Sequence, residues 1–168
     1  MANKPPIGPK GAGRRGVSTF GWVLRGAAAG AAGTTALNVV TYLDMALRGR
    51  PASSTPENTV EKMAEAVHLT VPGEGVKRAS RLEGLGALTG LVAGVGVGGL
   101  LGLARASGFR AGTLLTTVTV LISTNGPMTV LGVTDPRTWS AVDWLSDLVP
   151  HLAYAAVVTT TMDALERP

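Results

Sequence analysis

Leu85–Ala104, LGALTGLVAGVGVGGLLGLA, carries no charged side chain. At about 1.5 Å of rise per residue, a helix of that length crosses the roughly 30 Å hydrocarbon layer of a bilayer. Glycine recurs in it at every fourth residue, Gly86, Gly90, Gly94, Gly98 and Gly102, so that overlapping GxxxG units run along one helix face. Between helices in lipid there is little hydrophobic drive, and small residues that let backbones approach are a main source of association. This face therefore calls for a second helix. Gly26, Gly30, Thr34 and Asn38 repeat the four-residue spacing earlier in the chain and offer a partner groove, with the Asn38 amide able to hydrogen-bond across it. That complementary face favours packing within one chain, with an interface between copies as the alternative.

Three further stretches have spanning character. Ala111–Val133 is uncharged, although Asn125-Gly126-Pro127 interrupts it and suggests a broken or kinked helix. Gly26–Leu43 lies between Arg25 and Asp44 and is weakly apolar because it is rich in Ala, Gly and Thr. Trp144–Met162 carries Asp147, Pro150 and His151 in its first turns, which leaves a shorter apolar run before Asp163. With 45% of residues hydrophobic and 15% charged, against roughly 25% charged in soluble domains, the composition leans the same way. The expected fold is all-α: an integral membrane bundle of about four transmembrane helices, spanning about 22–45, 84–104, 111–133 and 144–164, in one domain of residues 18–168.

Residues 1–17 are rich in Gly, Pro, Lys and Arg and read as a disordered basic tail. Arg14-Arg15 ahead of the first apolar stretch raises a twin-arginine export signal, but no small-residue cleavage site follows Leu43, and an uncleaved signal-anchor fits better. Between the first two spans, Thr55 as N-cap, Pro56 at the first helical position, and Val60, Met63, Ala64 and Val67 at helical spacing predict a short amphipathic surface helix over about 56–69. Glu57, Glu61 and Glu65 line its other face, which disfavours tight binding to anionic lipid. Four spans place 8 Lys and Arg residues on the side of the termini and 7 on the other, so the positive-inside rule gives almost no vote. The basic tail tips the reading towards cytoplasmic termini. A re-entrant first stretch, which would make the asymmetry strong, is the alternative.

Asp143, Asp147 and His151 recur at i, i+4, i+8, so two carboxylates and an imidazole share one helix face. Ionisable groups entering a membrane segment are expensive and usually paired, so this set, with Asn125, is a candidate polar or proton-relay site. The competing reading is an interfacial turn at which the acids are solvated and Trp139, Trp144 and Tyr154 form an aromatic belt. Two carboxylates and one His make an incomplete metal site, and His68 is not placed to complete it, so no metal or cofactor is expected. The Pro127 interruption frees a carbonyl that Ser123, Thr124 and Thr129 are close enough to satisfy locally, although broken helices also line transporter sites. With no Walker sequence, no GxSxG and no HExxH, no catalytic residue is assigned and no enzyme is expected. The absence of cysteine excludes disulfides and thiolate chemistry. A net charge of +4 without an aromatic-interleaved basic stripe points to lipid headgroups rather than nucleic acid.

The stretches ALNVVTYLDMALRGRPASSTPENTVEKMAE and DWLSDLVPHLAYA resemble segments of uncharacterised multi-pass membrane proteins from actinobacteria and related bacteria. The resemblance covers about a third of the chain and implies a bacterial plasma-membrane protein. That family has no assigned activity, so no functional residue follows from it. The leading expectation is a structural or accessory subunit of a membrane complex, partnered by the bilayer and by another membrane protein or further copies of itself. A small oligomeric channel or transporter, with Asn38, Asn125, Asp147 and His151 along a polar path, is the competitor.

Overall fold

The computed structural model describes residues 17–167, so residues 1–16 of the expected basic tail lie outside the described residues. Among the described residues there are five α-helices and no strand: α1 (Thr19–Arg48), α2 (Thr55–Ala66), α3 (Gly75–Ala106), α4 (Thr113–Val130) and α5 (Ala141–Glu166), with a 3-10 turn at Pro136–Thr138. Of these, only α3 is long and apolar enough to cross a membrane by composition.

Ser18 caps α1 by accepting from the Gly21 N–H at 3.1 Å, and Gly49, in the left-handed region at φ 61°, ends it. The apolar run of α3 is preceded by three charged turns, so the helix begins about ten residues before the expected span. The α4 helix continues through Asn125-Gly126-Pro127 instead of dividing into half-helices, and Thr124 and Thr129 on either side donate to the Val120 and Asn125 carbonyls of the same helix (2.9 and 2.7 Å). It stops at Val130, short of the expected Val133, where Gly132 turns the chain at φ 69°. The α2 helix is also shorter than expected, since His68 adopts φ 58° just beyond its end and leaves Val67 and Leu69 exposed.

The four long helices alternate in direction. Arg25 at the start of α1 donates to the Leu165 carbonyl at the end of α5 (2.9 Å), while Arg48 at the end of α1 donates to Ser146 near the start of α5 (2.9 Å). Both described termini therefore lie at one end of the bundle, with α2 at the other end against the beginning of α3. The helix α1 packs against α3 and α5, α4 packs mainly against α5, and α3 touches α4 only lightly.

Glycine makes the α1–α3 contact. A Cβ on Gly98 would meet the Gly30 Cα at 2.6 Å and run into the Gly26 carbonyl; one on Gly30 would meet the Gly94 carbonyl at 2.5 Å; one on Gly102 would run into the Trp22 carbonyl. The expected five-glycine face is nevertheless divided. Gly94, Gly98 and Gly102 meet α1, Gly86 meets Pro56 of α2 at 2.9 Å, and Gly90 falls between these two contacts and faces open space. Asn38 is exposed on α1 and, among the described residues, makes no side-chain hydrogen bond, so the amide expected to bridge the groove does not do so. Gly33 admits α5 instead: a Cβ there would touch Val158 at 2.6 Å and Tyr154 at 2.8 Å. Tyr154, expected in an interfacial belt, is fully buried in the bundle and donates its hydroxyl to the Gly94 carbonyl at 2.6 Å.

The contrast between Gly98 and Gly90 yields a prediction. Gly98→Ala should destabilise the bundle by about 1–3 kcal/mol, because the added methyl meets backbone that cannot rotate away. Gly90→Ala should be neutral or stabilise by up to about 1 kcal/mol through helix propensity. Thermal unfolding in detergent of the two variants beside the parent distinguishes them.

Candidate functional site

Asp147 and His151 lie one turn apart on α5, in the turns where Pro150 is built into the helix and buried. Thr124 and Asn125 come from the facing side of α4. The Asn125 amide donates to Asp147 Oδ2 at 2.8 Å, and Asp147 Oδ1 lies 3.4 Å from His151 Nδ1. His151 Nδ1 is 2.7 Å from the Asp147 carbonyl, which can only accept, so the proton sits on Nδ1. His151 Nε2 faces the Thr124 hydroxyl at 3.3 Å. The imidazole is nearly buried, and three of the four expected site residues, Asn125, Asp147 and His151, are in one cluster.

Asp143 is the exception. It sits at the third position of α5 and forms a capping box with Ser140, whose backbone N–H and hydroxyl donate to Asp143 Oδ2 at 2.9 and 2.7 Å. The Ser140-x-x-Asp143 spacing was the available signal for this role. The Ser140 hydroxyl and N–H hold the Asp143 carboxyl below the usual carboxylate range.

The cluster forms one wall of a cavity of about 450 Å³ at the α2 end of the bundle, between α1, α4, α5 and the α1–α2 connection. Leu37, Met128 and Trp139 supply apolar wall, and Arg48, Arg50, Asp143 and Asp147 supply charge. Arg48 and Arg50 share Asp44, at 3.2 and 2.5 Å. The cavity stops at His151, because Tyr154 and Val158 of α5 and Val120 of α4 close the middle of the bundle with no exposed surface to speak of. Among the described residues no group of three or more His, Asp or Glu side chains is placed to hold a metal ion.

A second polar cluster, at the opposite end, was not anticipated. Arg105 is buried in the last turn of α3 and pairs with Asp163 and Glu166 of α5, the latter at 2.7 Å, while Arg110 reaches Glu166 at 2.7 Å. These charges flank apolar runs and so resemble ordinary loop charges in the sequence. Their pairing across 58 and 61 residues has no local signal.

Both clusters tie helices together. The α4–α5 seam is bridged by Thr113 with Thr159 (3.1 Å) and by Asn125 with Asp147, with Thr124 packed against the His151 ring beside the second. Comparison with protein-family models, with curated proteins and with solved structures gave no match to this chain.

Two outcomes follow from this geometry. Asn125→Ala removes the amide donor to a mostly buried carboxylate and should cost about 1.5–3 kcal/mol in detergent unfolding. A carboxyl with a depressed folded-state pKa stabilises the fold above its unfolded value of about 3.9, and that stabilisation is lost as pH falls through the folded value. Thermal unfolding between pH 6 and pH 3 should therefore show a steeper acid loss in the parent than in Ser140→Ala, which lacks the hydroxyl that holds Asp143 down.

Proposed function

We propose that this chain is a multi-pass membrane protein, a bilayer-embedded bundle in which α1, α3, α4 and α5 all span, and that it serves as a structural or accessory subunit of a membrane complex. The observation that carries this reading is an inverted distribution of side chains. The α1–α3 seam is made of small residues such as Gly26, Ala29 and Gly30, and the rest of the interior pairs Val97, Val120, Tyr154, Val158 and Met162 with buried Thr116 and Thr117, while many large apolar residues face outward on every long helix: Leu24, Leu100 (67% exposed), Leu114 (79%), Ile122 (66%) and Leu145 (59%). A water-facing bundle would be expected to bury the second group. Hydrocarbon accepts it.

Three further features agree. The outer hydroxyls of Thr35, Thr89, Thr119, Ser123 and Thr160 donate to carbonyls of their own helices, so they leave no unmet polar group towards lipid. A composition index counts these Thr residues as polar, which lowers the apparent apolarity of α4 and α5 below what their surfaces present. Charges collect at the two ends: the uncharged runs between Arg25 and Asp44 and between Glu83 and Arg105 are about 28 and 33 Å long as helix. Aromatic residues follow the charges, with Phe20, Trp22 and Phe109 at one end and Tyr42, Trp139 and Trp144 at the other, as in the belts of spanning proteins.

An accessory role is supported over permeation because Asn125, Asp147 and Tyr154 are engaged across helix seams and the cavity ends on Tyr154. The cysteine-free chain gives a direct test of topology. Single cysteines replacing Ser107 and Ser18 should react with a membrane-impermeant maleimide from one side, and those replacing Ser53 and Thr138 from the other. Labelling of Ser18→Cys and Ser53→Cys from the same side would defeat the four-span reading. In proteoliposomes the protein should conduct no ions, and a flux lost in Asp147→Asn and His151→Ala would replace the accessory role with permeation.

A further inference from the structure

The cavity beside Asp147 is continuous with the outer surface of the bundle. A groove of about 360 Å³ runs between α1 and α5, walled by Val40, Val142, Leu145 and Val149 with Asp44 at its polar end, and it shares Arg48, Ser146 and Pro150 with the cavity. The Arg48–Ser146 hydrogen bond is the sill between them. On one side of the sill is a polar chamber and on the other an apolar channel whose Leu145 and Val149 walls are open to the outside.

The chamber carries charge of both signs on different elements. Arg48 and Arg50 come from the end of α1, and Asp143 and Asp147 come from the first turns of α5. Each retains bonding capacity within the structure. Arg48 uses only Nη1, Arg50 uses Nε and Nη1, Asp143 uses only Oδ2, and Asp147 commits Oδ2 to Asn125. Guanidinium groups suit a phosphate through paired N–H donors, and carboxylates suit an ammonium. Trp139 stands in the same wall and gives the ammonium an aromatic neighbour.

We infer that the chamber and groove together bind one phospholipid with an ammonium-bearing headgroup, phosphate on Arg48 and Arg50, ammonium towards Asp143 and Asp147, and the start of an acyl chain along Val40, Leu145 and Val149. This rests on the bilayer-embedded reading, since only there does lipid reach the groove. Asp44 already pairs with both guanidinium groups, so their remaining N–H donors beside Asp143 and Asp147 suit a zwitterion better than a headgroup with net negative charge. A headgroup with a phosphate alone leaves Asp143 and Asp147 facing it without compensation, and a free phosphate makes no use of the apolar groove.

The experiment is native mass spectrometry of the full chain from mixed micelles containing phosphatidylethanolamine and phosphatidylglycerol in equal amounts. The expected result is one phosphatidylethanolamine per chain, retained about tenfold over phosphatidylglycerol, with inorganic phosphate failing to compete. Arg50→Gln should lower retention about tenfold, the loss expected for a charge-assisted hydrogen bond. Val149→Trp, at a position already half exposed, should block the groove while the unfolding temperature stays that of the parent. Equal retention of both lipids, or unchanged retention in Val149→Trp, overturns the lipid site. If the cysteine labelling pattern is that of four spans when this happens, the lipid site alone falls. A labelling pattern without four spans removes the embedded bundle and the lipid site together.

Discussion

The rest of the structure depends on backbone approaching backbone between α1 and α3. Gly26 and Gly30 on one helix and Gly94, Gly98 and Gly102 on the other leave no room for a single Cβ, and this closeness places the Gly94 carbonyl within reach of Tyr154 on α5. Tyr154 then packs against Gly33, so one aromatic side chain connects three helices through positions where side chains are missing. Dispersion over closely matched surfaces, with one buried hydrogen bond, holds this half of the bundle.

The other half is held differently. The helix α4 presents Thr116, Thr117 and Val120 to the interior and is joined to α5 by hydroxyl, amide, carboxylate and imidazole groups. The cluster at Asp147 and His151 therefore has a structural duty irrespective of any ligand. Its position, however, puts the outer faces of these groups on a chamber, and the charged end of α1 completes that chamber from the opposite side. A bundle that uses small residues on one seam and polar residues on another leaves a recess where the two kinds of packing meet.

How much of this was legible in the sequence depends on how local each cause is. The helical class and the α1–α3 contact were readable because four-residue glycine spacing maps directly onto one helix face. The fate of Gly90 was not, because it depends on where α2 docks and where α1 diverges. The joining of Asn125 to Asp147 crosses 22 residues and two helices; both residues stood out as polar groups in apolar runs, but nothing in the spacing paired them. Asp143 shared the i, i+4 pattern with Asp147 and also the Ser-x-x-Asp capping pattern, and the local pattern prevailed because the first turn of a helix has N–H groups to satisfy. Tyr154 looked interfacial by residue type, but its depth is set by Gly33 and Gly94, which lie far away in sequence.

The dependence of α4 on α5 has a bearing on biogenesis. During synthesis, α1 and α3 meet as soon as both have emerged and find a complete surface in each other, whereas α4 emerges next with hydroxyls and an amide whose partners have yet to be translated. The Thr113 hydroxyl and the Asn125 amide meet theirs only after residues 147–159 leave the ribosome. In the embedded bundle proposed above, the last two helices would enter the membrane as a pair, with α5 acting as an internal chaperone for the helix made just before it.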